Sequence, residues 1–232
     1  MNLKKTVLLI AKWMFICVLI GFLSGCASAF FLVSLEWVTQ YREHHNWIIW
    51  LLPIGGLCIG LLYHFYGTEV VKGNNLLLEE YENPQKTIPL KMAPMVLVST
   101  LITHLFGGSA GREGTAVQMS GAIADQFKKP LNLNDSDRKT LIILGISAGF
   151  ASVFGTPLAG ALFALEVLYF SKINYKSIIL SFLTAYIAYF TVEFWQVKHT
   201  HYVIPEVPEL TIIHFSWIII AGVLFGLTAM LF

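Results

Sequence analysis

Six stretches of the chain contain no Asp, Glu, Lys or Arg: residues 13–35, 46–68, 92–111, 140–165, 177–192 and 210–232. Most are near the roughly 20 apolar residues that a helix needs to cross a bilayer core. In lipid each backbone polar group must find its partner within the protein, so these stretches are predicted to be helices. The strict alternation of a membrane β-barrel is absent from them. Two intervening pieces, 73–82 and 113–127, are too short or too polar to cross alone. Gly73 opens the first, and Gly107, Gly108, Gly111 and Gly114 surround the start of the second. They are predicted to be re-entrant broken helices, tolerated at membrane depth where they are buried in protein or line a cavity. The alternative is a pair of ordinary interfacial loops.

Composition agrees with the pattern. The chain is 56% hydrophobic and 12% charged, whereas soluble domains carry roughly 25% charged residues. Mean hydropathy is +0.68. The fold class expected is an all-α integral membrane protein, a multi-span helical bundle forming a single transmembrane domain over 1–232. A formal charge of +1 gives no field to attract a nucleic acid. Cys17, Cys26 and Cys58 have neither disulfide-motif nor metal-ligand spacing. Lys4 and Lys5 favour a cytoplasmic N-terminus. Leu23-Ser24-Gly25-Cys26 resembles a lipoprotein acceptor site, but Lys12 interrupts the apolar core and the helix pattern continues past Cys26.

Gly107-Gly108-Ser109-Ala110-Gly111 matches G-x-S-x-G, a hydrolase signature that requires a preceding strand. An apolar helix precedes it here, so no enzyme is expected. H-E-x-x-H and P-loop patterns are absent, and no metal or cofactor is predicted. His44, His45, His199 and His201 are expected in polar loops. His104 falls late in an apolar stretch and reads either as a hydrogen-bonded core histidine or as a functional group. Gly111-Arg112-Glu113-Gly114 is the most informative segment, because ionisable groups between apolar spans are costly. A helix start favours ionised Glu113, while surrounding hydrocarbon opposes it. Such a carboxyl suits uptake and release of a proton. A structural pairing of Arg112 with Glu113 is the alternative, although adjacent helical residues do not face each other.

Gly111-Arg112-Glu113-Gly114 followed by Val117-Gln118 resembles the glutamate-gate motif of the CLC anion channels and transporters. Gly73-Asn74-Asn75-Leu76 is similar to the family's first anion-binding loop in position. Thr156-Pro157-Leu158-Ala159-Gly160 and Phe163-Ala164-Leu165-Glu166, within 149–168, resemble the helix pair after the gate. The resemblance implies an anion pathway with Glu113 as gate and proton carrier. Asn74, Asn75, Gly111, Arg112 and Gly114 would stand around the ion. Asn74 in place of the usual serine, Thr115 in place of a proline and Val167 in place of a second glutamate resemble the fluoride-exporting, proton-coupled branch. Asparagine amide donors suit a small, strongly hydrated anion, although asparagine also favours turns and caps.

Family members resemble two inverted repeats, and this chain corresponds to the first repeat with the start of the connection to the second. One wall of the pathway would then be open to lipid in this chain alone. A homodimer in a bacterial inner membrane is implied by the same resemblance, with fluoride or chloride and protons as the transported species and the lipid bilayer as surroundings. A passive chloride channel and a non-transporting membrane or lipoprotein component are the other readings.

Overall fold

The computed structural model describes residues 3–167, 175–197, 206–207 and 209–231. His199 and His201, expected in a loop, lie outside them, as do Leu168 and Phe232. Nine α-helices occur among the described residues. In order they are α1 (Leu3–His44), α2 (Leu52–Tyr66), α3 (Asn74–Glu82), α4 (Met92–Leu105), α5 (Arg112–Asp125), α6 (Asp135–Phe154), α7 (Pro157–Val167), α8 (Tyr175–Phe194) and α9 (Ile212–Leu231). The chain divides into two compact units, Met1–His199 and Thr200–Phe232. The second contains α9, an apolar helix long enough to span. Thr211 Oγ1 accepts a hydrogen bond from the His214 amide at its start, a capping contact.

Several boundaries differ from the uncharged stretches, each for a local reason. The stretch 13–35 lies inside a helix of 42 residues, because the polar residues at both ends have good helix propensity and reach out of the apolar layer. Residues 46–68 open with a 3-10 turn over Asn46–Leu51 before α2 begins, with Pro53 in its first turn. The stretch 92–111 is helical only to Leu105, where Gly107 turns the chain at φ +76°. The uncharged block 140–165 is two helices. Gly155 adopts φ +68° at the end of α6, a left-handed cap that glycine adopts without strain, and Pro157 restarts the chain as the first residue of α7.

Helix α6 forms the centre of the first unit, with Leu141, Ile142, Leu144, Ile146 and Ala148 at most 1% exposed. Small residues let its neighbours approach closely. A Cβ on Gly149 would stand 2.5 Å from the Ala116 carbonyl oxygen, and one on Gly145 would stand 2.6 Å from that of Ser120, so α5 lies directly against α6. On the other side, α1 meets α8 where Gly25 packs on Ala188 and Thr191. Close approach through small residues is the usual way helices associate in lipid, where no hydrophobic drive operates between them.

Among the described residues, charge is buried at one place. Arg138, near the start of α6, donates from Nε and Nη2 to the two carboxylate oxygens of Asp125, at 2.6 and 2.7 Å. Arg138 Nη1 donates to Glu80 at 2.9 Å, and Nη2 also reaches the Lys86 carbonyl at 2.6 Å. Asp125 accepts the Ile88 amide at 2.7 Å, and Glu80 accepts the amides of Gln85 and Lys86. Arg138 and Asp125 are both 0% exposed. The cluster satisfies the demand that a buried charge be paired and hydrogen-bonded, and it fastens the ends of α3 and α5 and the segment 83–91 to α6.

Candidate functional site

Two helix starts converge at the site. Gly73 precedes α3 at φ +58° and ψ −130°, a conformation that side-chain-bearing residues avoid. Gly111 precedes α5 in an extended conformation. Neither start carries a side-chain cap. The first amides of a helix carry partial positive charge. At α3 those of Gly73, Asn75 and Leu76 already donate to the carbonyls of Val70, Lys72 and Gly73, so the start of α5 offers the freer amides to an anion.

Between them lies a cleft of about 90 Å³ lined by Asn74, Glu113 and Gly114 and walled by Ile146, Phe163 and Val167, among other residues. The Asn74 amide nitrogen lies 3.4 Å from the position a Cβ on Gly114 would occupy. The Glu113 carboxyl folds back over Gly111, where a Cβ would stand 3.0 Å from both of its oxygens. A side chain on Gly111 would therefore crowd the Glu113 carboxyl, whereas one on Gly114 would only touch the Asn74 carboxamide. Among the described residues, no ion pair or hydrogen bond holds the Glu113 carboxyl. That leaves it able to take a proton, move, or meet an ion.

The other expected residues lie differently. The Arg112 guanidinium faces the Phe154 ring at 5.7 Å from its centroid, a cation–π contact in place of the ion pair with Glu113. Asn75 is exposed, and its amide donates to the Lys72 carbonyl at 3.2 Å, closing a turn. Of the five residues expected around the ion, Asn74 and Gly114 line the cleft beside Glu113. Gly111 lies under the Glu113 carboxyl.

The loop before α5 is held from within α4. His104 Nε2 lies 3.0 Å from the Ala110 carbonyl, which makes it a hydrogen-bonded structural histidine. Thr115, standing where a proline was expected from the resemblance, has its hydroxyl 2.7 Å from that of Thr100, with both buried. This contact ties the first turn of α5 to α4. Gln118, which belongs to the same motif, also borders the site. Its amide nitrogen is 3.4 Å from the Cβ position on Gly73 and 3.9 Å from that on Gly114. Its spacing four residues after Gly114 was the available signal, since both then share one helix face.

Helix α4 runs into Gly107–Gly111, and α5 follows. The G-x-S-x-G match therefore lacks the strand that its chemistry needs. Among the described residues, no His, Cys, Asp and Glu group has metal-binding geometry.

Apolar spanning helices around two short helices that start at a shared cleft define the class as an all-α integral membrane protein built on broken helices. The chain belongs to the voltage-gated chloride channel family, whose model matches residues 55–232. It is 51% identical, over 96% of its length, to a chloride/fluoride channel protein of Pseudomonas syringae pv. tomato. It is 27% identical, over 98% of its length, to the H(+)/Cl(-) exchange transporter ClcA of Cronobacter sakazakii. The crystal structure of a CLC-type fluoride/proton antiporter superposes with a TM-score of 0.86 at 36% identity, covering 94% of this chain. The chain spans 49%, 50% and 55% of these three proteins respectively, about half, consistent with a single repeat of the fold. The relatives are channels and exchangers, not enzymes.

Proposed function

We propose that this chain forms the first half of an anion pathway through a bacterial inner membrane, exporting fluoride in exchange for protons. Glu113 is the gate and proton carrier, and Asn74 is the selectivity residue. The observation that carries this reading is the shared cleft, in which a free carboxyl and an unhindered carboxamide meet at two uncapped helix starts. Ionised Glu113 occupies the place of the anion, and protonation releases it. Val167 lines the same cleft and cannot relay a proton, so Glu113 itself carries the proton past the site. The Asn74 amide replaces part of the water shell that fluoride leaves behind. Gly111 and Gly114 keep the backbone amides approachable. Residues 1–232 act together as one transmembrane domain, which a second repeat completes and which pairs as a homodimer.

The names of the relatives support an anion as substrate, since they specify chloride, fluoride and protons. The word "channel" in the name of the Pseudomonas relative favours a second reading, passive anion flow without proton coupling. The test is made in a full-length context, with this chain continued by a second half such as that of the Pseudomonas relative. In liposomes loaded with fluoride, Glu113→Gln is expected to abolish proton movement. Unchanged proton flux in the variant overturns the role of Glu113, and fluoride efflux without proton movement in the unsubstituted protein selects the channel.

A further inference from the structure

We propose that Arg138 is a positioning residue for the anion cleft, acting on Asn74 through Glu80 and on the gate segment through Asp125. The inference rests on the selectivity role of Asn74 given above. Asn74 and Glu80 lie on α3, about 9 Å apart along its axis, and Glu113 and Asp125 lie on α5, about 18 Å apart, at 1.5 Å per residue. The two helices that present the cleft are thus fastened at their far ends to one guanidinium.

At the cleft itself nothing comparable joins them. Among the described residues, no hydrogen bond links Gly73, Asn74 or Asn75 to α5, and Asn74 lies 3.4 Å from the place a Cβ on Gly114 would take. Apart from apolar packing such as that of Leu77 on Gly121, the register between the two helix starts is set at the Arg138 cluster. An apolar cluster of similar volume could give comparable stability. It would not fix direction and distance as the planar fork does, with two bonds to Asp125 and one to Glu80. A hydrogen bond to an ion needs its donor within about 3.2 Å and well aligned, so a shift of α3 along its axis by about 1 Å weakens the contact of Asn74 with its anion.

Glu80→Gln tests this by loosening the attachment of α3 alone, keeping the side-chain volume and leaving the Arg138–Asp125 pair in place. In the same full-length context, fluoride-over-chloride preference is measured by paired efflux from liposomes for Glu80→Gln, Asn74→Ser and the double variant. Preference is expected to drop at least about threefold in Glu80→Gln, with no further loss when Asn74→Ser is already present, the mark of residues acting through one another. Arg138→Lys, which keeps the charge and loses the fork, is expected to shift preference in the same direction. Unchanged preference in Glu80→Gln beside a clear Asn74→Ser effect overturns the inference and leaves the function standing. Additive losses also overturn it, because they place the two residues in separate roles. A silent Asn74→Ser removes the selectivity reading and this inference with it. Loss of the folded protein in both Glu80→Gln and Arg138→Lys, followed by thermal unfolding in detergent, makes the cluster a purely structural requirement and overturns the positioning role.

Discussion

At the cleft, the start of α5 and the Asn74 side chain are left free, and at the far ends of α3 and α5 the protein satisfies its polar groups. Among the described residues, the cleft has the uncapped amides of α5, an unheld Glu113 carboxyl and the Asn74 carboxamide. The Arg138 cluster uses the same two helices, yet its guanidinium, two carboxylates, backbone amides and Lys86 carbonyl are joined in one network. Unspent hydrogen-bonding capacity is what an ion site requires, because a donor already engaged cannot replace lost water. A fully engaged cluster does the opposite and holds one geometry. The contrast separates the part of each helix that meets a ligand from the part that holds it in place.

The largest effect is expected from breaking the satisfied end. Asp125→Ala leaves the Arg138 charge buried without its bidentate partner and the Ile88 amide unpaired, which costs about 3–5 kcal/mol. Thermal unfolding in detergent should register this as a large fall in stability, and an unchanged unfolding curve would show that water or another group compensates.

The free end is expected to respond in selectivity rather than stability. Asn74→Ser in a full-length context should lower fluoride-over-chloride preference around tenfold, since one hydrogen bond to a charged group contributes roughly 1.5–3 kcal/mol. Its unfolding temperature should hardly move, because Asn74 is exposed and, among the described residues, its side chain holds no other residue by hydrogen bonding. Intact preference would return Asn74 to the role of a turn residue.

The smallest effect lies between the two ends. Thr115→Val removes one partner of the Thr100–Thr115 pair and strands a buried hydroxyl, at about 1 kcal/mol. Pairing it with Thr100→Val should recover most of that loss, as replacing both partners by similar apolar shapes is nearly neutral. A double variant no more stable than the single one would show that the pair acts through something other than its hydrogen bond.

The membrane class, the long apolar helices and both short helices were legible because each follows from local composition. That Gly73, Gly111 and Glu113 stand at the starts of α3 and α5 was legible as well, since each falls in a short contiguous motif. The division of 140–165 into two helices was signalled by Gly155 and Pro157, but uncharged composition alone spans that break. The Arg138 cluster was illegible for a different reason. Glu80 is 58 residues from Arg138 and Asp125 is 13, and charges near helix ends look like interfacial residues until packing buries them. Arg112 was drawn into the site by its neighbours in sequence, whereas the helix turn carries it round to Phe154.

Helix α1 has a mechanical consequence for the surroundings of the protein. Its uncharged stretch 13–35 measures about 34 Å along the axis against a hydrocarbon layer of about 30 Å. A stretch longer than the layer is met by tilting, kinking or local thickening of the bilayer, so α1 is long enough to span with some lean. Thinner membranes demand more lean and thicker ones less. Gly21 and Gly25 seat α1 against Ile187, Ala188 and Thr191 of α8 with no spare room for a Cβ, so the two helices lean as a pair. A change in bilayer thickness therefore meets α1 and α8 together, and α6 packs against both of them as well as against the helices that begin at Gly73 and Gly111.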